Sequence, residues 1–241
     1  MSLTNSVLIL GMHRSGTSAL AGSLQEQGLF LGEVYENNPY NKKGNRENAE
    51  IMQLNEKLLA YNDGGWDNPP DSITWSSEHI ITRNQIIDNF IKSRHSTWGF
   101  KDPRTLILMK FWLDGLVKNT NVRFVGSFRN PVSVANSLLS RNNKSINDSI
   151  ELWETYNIRL LKAAKEHDCQ LVAFDVDHNE YHDSIRRIAL NLGLAYHKPS
   201  GTPFFDDSLR NDYVEPLPDS LSEGTINLFN ELKKIYKEQS T

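Results

Sequence analysis

Val7-Leu8-Ile9-Leu10-Gly11-Met12-His13-Arg14-Ser15-Gly16-Thr17-Ser18-Ala19-Leu20 is the stretch whose reading decides the fold. Val7 to Leu10 are four branched apolar residues and read as a buried strand, while the apolar spacing after Thr17 reads as a helix. Between them stands Gly-x-x-x-x-Gly-Thr-Ser. A strand that feeds a tight glycine-flanked loop into a helix turns several backbone N–H groups toward one point. The helix dipole adds roughly half a positive charge there, so the loop is an anion cradle. Loops that use ATP or GTP carry Gly-x-x-x-x-Gly-Lys-Ser/Thr. Here Thr17 occupies the lysine position, and the cation, Arg14, lies inside the loop. A γ-phosphoryl donor is poorly served by that exchange, because the lysine reaches the β- and γ-phosphates. An arginine suits a smaller anion gripped through two parallel hydrogen bonds.

Working outward, strands and helices alternate. Helical spacing is expected over Ala19 to Gly28, Glu47 to Leu59, Ser77 to Ile91 and Leu106 to Val117. Further helices are expected over Val132 to Leu139, Ile150 to Glu166, Ile185 to Leu192 and Ser222 to Lys237. Short apolar runs at Thr97 to Phe100, Val122 to Phe128 and Gln170 to Phe174 read as strands. This order predicts an α/β fold: a doubly wound parallel sheet of P-loop type, flanked by helices, in a single domain over 1–241. Its core spans about 6–195, with a C-terminal extension over about 198–241. In such sheets ligands sit at the carboxyl ends of the strands. His13 to Ser18, Lys101 to Arg104 and Arg129 to Ser137 each follow a strand directly, so the three motifs should share one rim.

Composition narrows the class. The 241 residues carry 26 Lys and Arg against 30 Asp and Glu, a net charge of −4, which argues against a nucleic-acid partner for the chain as a whole. The single cysteine, Cys169, opens an apolar run and fits a buried thiol in a reducing compartment. Membrane helices need about 20 apolar residues in a row, and no run approaches that. A soluble, cytoplasmic domain is expected. His178, His182 and His197 lack metal-ligand spacing, so no metal is expected. Trp98, Trp112 and Trp153 lie in apolar periodic segments and read as core, while Trp66 reads as the anchor of a long loop in preference to a lid over a site.

The loop Gly-Met-His-Arg-Ser-Gly-Thr-Ser resembles the 5′-phosphosulfate-binding loop of sulfotransferases that use 3′-phosphoadenosine 5′-phosphosulfate (PAPS), bacterial members with a His-Arg-Ser-Gly-Thr-Ser loop above all. Phe128-Arg129-Asn130-Pro131-Val132-Ser133-Val134-Ala135-Asn136-Ser137 is similar to their 3′-phosphate-binding motif, in which an arginine and a serine eight residues later grip that phosphate. The resemblance implies sulfuryl transfer from PAPS to an acceptor hydroxyl of a carbohydrate or small metabolite, with the 3′,5′-bisphosphate (PAP) as product. It implies that Arg14 and the N–H groups of Ser15, Gly16, Thr17 and Ser18 bind the 5′-phosphosulfate, and that Arg129 and Ser137 bind the 3′-phosphate.

Lys101 is similar to the lysine that assists at the sulfuryl group in cytosolic sulfotransferases, where Lys-x-His-x-Pro supplies a histidine base. This chain reads Lys101-Asp102-Pro103-Arg104, so that base does not carry over. Two carboxylates remain for the acceptor proton. Glu47 stands in a segment similar to the Gly-x-x-Glu of bacterial and carbohydrate sulfotransferases, where a glutamate is the base. Asp102 is the other candidate, and its setting before Pro103 and Arg104 fits a helix cap or an ion pair equally well. The segment Leu171 to Asp175 mimics the strand that holds magnesium in kinases, and Asp175 reads as an ordinary strand-end residue. His13 is a structural histidine or a ligand contact, and Arg210 a candidate to reach back to the nucleotide. Two other functions stay open, a P-loop kinase using ATP and a nucleotide-binding protein without catalysis.

Overall fold

Alternation along the central strand explains how the helices are shared out. In the computed structural model, which describes residues 3–36, 43–197, 203–205, 217–218 and 221–240, β1 runs Thr4–Leu10. Leu8 and Leu10 point into one apolar cluster, Val7 and Ile9 into the other. Both faces of the strand are therefore covered, as a parallel sheet requires. On the second face lie α1 (Thr17–Glu26) and α7 (His178–Asn191). The first face is packed by α2 (Ala49–Tyr61), α3 (Ser77–Lys92), α4 (Met109–Leu116), α5 (Pro131–Asn142), α6 (Ile146–Glu166) and α8 (Glu223–Gln239).

Strands β2 (Thr97–Lys101), β3 (Thr120–Phe128) and β4 (Gln170–Ala173) complete a parallel sheet in the order β2-β1-β3-β4. The register aligns the strand ends: Ile9 stands beside Lys101, Leu10 beside Gly126, and Phe128 beside Ala173. The chain leaves β1 toward one edge and later returns to its other side, so β1 and β3 flank the switch point where α/β proteins open a crevice. Trp98, Trp112, Trp153 and Cys169 are buried, as their apolar settings suggested.

Local chemistry moved several boundaries. The helix expected from Leu106 is a 3-10 turn over Pro103–Leu106 followed by α4, because Asp102 caps Arg104 N and starts a turn three residues earlier. Helix α7 begins at His178 rather than Ile185, since Asp177 accepts from the amides of Asn179 and Glu180. Ser145, capping Asp148 N, likewise starts α6 four residues before Ile150. Apolar periodicity locates a buried face, whereas the first turn of these helices is polar. No helix among the described residues is long and apolar enough to cross a membrane.

Candidate functional site

Four strand ends meet on one rim. After β1, Arg14 takes a left-handed backbone (φ 68°), a conformation that costs free energy unless the surroundings hold it. Its Nε donates to Ser137 Oγ on α5 over 2.8 Å, joining motifs 123 positions apart. Ser127 Oγ, from β3, donates to Ser15 O at 2.5 Å and ties the loop to the sheet. Gly16 (φ 83°) precedes α1, and no side chain among the described residues caps the first amides of that helix. A side chain at Gly16 is excluded, because a Cβ there would lie 2.1 Å from the Phe174 ring. Thr17 is buried and Ser18 half-buried in the first turn.

At the end of β3, Arg129 Nε donates to Asp175 Oδ1 (3.0 Å), and the amide of Asn130 donates to Asp175 Oδ2 (2.6 Å). The Asn130 side chain caps α5 through the amides of Val132 and Ser133, with Pro131 in the first turn. Arg129 Nη1 reaches Arg14 O at 3.4 Å, and its Cζ stands 5.2 Å from the centroid of the Phe174 ring. Asp175 is therefore no ordinary strand-end residue: its carboxylate orients the arginine. The signal was present in the sequence as an acidic residue just past β4, but only the adjacency of β3 and β4 gives it a partner.

Glu47 arrives from the loop before α2. Lys101 Nζ, at the end of β2, donates to Glu47 Oε1 (2.6 Å), to Asn45 O (3.2 Å) and more weakly to Ser18 Oγ (3.4 Å). The pair is almost closed to solvent, with side chains 4% and 8% exposed. Glu47 Oε2 takes no hydrogen bond among the described residues. Asp102, one residue on, is fully buried. Its Oδ1 accepts from Arg104 N (2.9 Å), and both oxygens accept from Arg104 Nη1 (3.1 and 3.2 Å). Burial raises its pKa above the ordinary aspartate value, against the pull of the Arg104 charge. Arg104 Nη2 goes on to Glu56 at 2.8 Å.

His13 lies among these groups. Its Nδ1 is enclosed without a partner among the described residues, although the ring as a whole is half-buried. Desolvation, followed by the charges of Arg104, Lys101, Arg141 and Arg14, holds its pKa well below 6.5, so the ring is neutral. The ring of Trp66 stands 4.5 Å from it, centroid to centroid, and the Trp66 carbonyl accepts from Tyr156 OH at 2.7 Å. The long loop is thus anchored against the body, beside the P-loop. Arg210 lies outside the described residues. No group of three or more metal-ligating side chains occurs among the described residues.

No family model matches the sequence, and no curated protein matches it. Among solved structures, the sulfotransferase domain of the Synechococcus PCC 7002 olefin synthase superposes with a TM-score of 0.60 at 15% identity, over 96% of this chain and 95% of that one. This chain has a sulfotransferase fold. A second such domain, from the curacin biosynthetic pathway, gives a TM-score of 0.57 at 14% identity, over 97% and 99% of the two chains. Near-complete mutual coverage means that the sulfotransferase fold accounts for the C-terminal helix as well as the sheet.

Proposed function

We propose that the protein is a sulfotransferase that moves the sulfuryl group of PAPS to a hydroxyl of a carbohydrate or small metabolite. One observation carries this reading: the hydrogen bond from Arg14 to Ser137, beside the contact of Arg129 with the Arg14 carbonyl, which gathers the cations and hydroxyl of both anion motifs at one crevice. The donor suits that crevice because it carries an anion at each end of one nucleoside. Uncapped amides from Gly16 to Ser18, together with Arg14, receive the 5′-phosphosulfate. Arg129, oriented by Asp175, and Ser137 receive the 3′-phosphate through charge-assisted hydrogen bonds. The two structural neighbours, named for an olefin synthase and a curacin pathway, support a small-molecule acceptor.

In the transfer, the acceptor oxygen attacks sulfur, the S–O bond to the 5′-phosphate breaks, and PAP leaves with that electron pair. The acceptor proton goes to Glu47, whose Oε2 is open while Oε1 is held by Lys101. Once Glu47 is protonated, the Lys101 charge is no longer matched by a carboxylate. It then stabilises negative charge on the sulfuryl and leaving oxygens, within reach of the donor loop through Ser18. Asp102 has both oxygens engaged within its own turn, and in this reading it shapes the strand end rather than taking the proton. Asp175 is spent on Arg129 and the Asn130 amide, which supports a sulfuryl donor over an ATP–magnesium complex.

A ligand panel tests the reading. PAP without magnesium should raise the unfolding midpoint by several degrees at ligand concentrations about a hundredfold above Kd. Labelled PAPS with a cell extract should then yield a labelled acceptor. Stabilisation by ATP only, and only with magnesium, would overturn it.

A further inference from the structure

Two residues of the C-terminal extension, Pro203 and Phe204, reach the loop that carries Glu47. Lys43 Nζ donates to Pro203 O (2.6 Å) and Phe204 O (2.9 Å). The Arg46 guanidinium lies over the Phe204 ring, with Cζ 4.8 Å from its centroid. Phe204 N donates to Glu26 Oε1 on α1 at 2.8 Å. The ring itself is seated on the bare backbone of Gly22, where a Cβ would come within 2.3 Å of it. Phe205 is buried and stacked on Tyr181 of α7, with centroids 3.7 Å apart and planes 15° apart. The tripeptide thus grips α1 and α7 on one side and residues 43 and 46 on the other.

The gripped loop depends on outside support. Arg46 holds a left-handed backbone (φ 57°), an unfavourable conformation for a residue with a side chain. Its amide donates to Tyr35 O (3.2 Å), its Nη1 donates to Glu36 Oε1 (2.7 Å), and Tyr35 N donates to Glu47 O (3.0 Å). Beyond it, Asn45 O and Glu47 Oε1 both accept from Lys101. Arg46 is therefore the hinge between Phe204 and Glu47: its side chain faces the extension and its backbone leads into the carboxylate.

We propose that Pro203-Phe204-Phe205 is a positioning clip for the Glu47–Lys101 pair, in which Phe204, seated on Gly22, holds Lys43 and Arg46 and so fixes the backbone that presents Glu47. The proposal rests on the reading of Glu47 as the proton acceptor. Phe204 acts through Arg46 and touches neither donor nor acceptor. Chain outside the α/β core thereby sets the geometry of the chemistry within it.

Amide hydrogen exchange on the full chain tests this without any acceptor. Phe204→Ala should speed exchange at Tyr35 and Arg46 roughly tenfold, the loss expected for one cation–π contact and its attached hydrogen bonds. Amides of β1 and β3 should exchange as before, and Phe204→Tyr should restore protection. Gly22→Ala gives an independent arm: it favours the helix itself yet unseats the ring, so exchange should rise at Arg46 while β1 and β3 stay as before. With an acceptor in hand, Phe204→Ala should lower kcat about tenfold while KM for the donor stays within about threefold. Unchanged exchange at Tyr35 and Arg46 in both variants overturns the clip, as does a rise spread equally over β1 and β3. Failure of the wild-type chain to bind PAP would instead overturn the sulfotransferase reading and leave the exchange result standing.

Discussion

Lys101 and Asp102 are adjacent, and each enters a buried ion pair, but the two pairs are built in different ways. Asp102 closes on Arg104, two residues away, with both carboxylate oxygens engaged inside one turn. Lys101 reaches across the fold to Glu47, 54 positions away, and leaves one oxygen of that carboxylate open. Buried pairs of the first kind hold a chain in shape and are expensive to break. A pair of the second kind holds a carboxylate in place with one oxygen open, which is what the role proposed for Glu47 needs. Wiring, and not the identity of the charged groups, distinguishes the two pairs at this strand end.

The largest effect that would sharpen this contrast is on rate. Glu47→Gln keeps the size of the side chain and removes the proposed proton acceptor, so kcat for sulfate transfer should fall about a thousandfold while the affinity for PAP, measured by calorimetry, is retained. A comparable loss of kcat in Asp102→Asn, with the protein folded, would erase the distinction. Stability comes next. Asp102→Ala removes the cap and leaves the Arg104 guanidinium short of its partner, at about 3 kcal/mol in a urea unfolding experiment. The same truncation at Glu47 should cost less, because Lys101 keeps its bond to the Asn45 carbonyl.

Ser137→Ala asks whether the donor lies against the open pair's side of the rim. The loss of one hydroxyl that accepts from Arg14 and is proposed to bind the 3′-phosphate should weaken PAP roughly tenfold, again by calorimetry, with little change in stability. The smallest effect belongs to His13, which feels cations from both pairs. Its folded pKa lies below 6.5, so below that pH the unfolded chain binds the extra proton and stability falls as pH falls. One such group contributes at most about 1.4 kcal/mol per pH unit. His13→Gln should flatten that part of the profile, read as the difference from wild type between pH 6.5 and the folded pKa. An unchanged slope would mean that the ring is not held neutral by its neighbours.

Particular residues show how far the primary structure reaches. Val7 to Leu10 and the glycines at 11 and 16 announce a strand, a loop and a helix, because burial and backbone freedom are local demands. The Arg129 and Ser137 spacing is equally local, from the end of β3 to two turns into α5. Asp175 could not be read in the same way, since its partner stands 46 positions earlier and meets it only when β4 pairs with β3. Neither could the choice between Glu47 and Asp102, for both are carboxylates beside cations in the chain's order.

The sequence alone determined which segments bury an apolar face, where the glycine-flanked loop between β1 and α1 lies and that several strand ends would carry polar motifs, because these depend on periodicity and short-range spacing. Only the tertiary structure decided which carboxylate stays open, which acid orients Arg129, and that Phe204 seats on Gly22 beneath Arg46. Those outcomes depend on contacts between residues far apart in the chain, and such contacts exist only after the sheet has fixed the order of its strands.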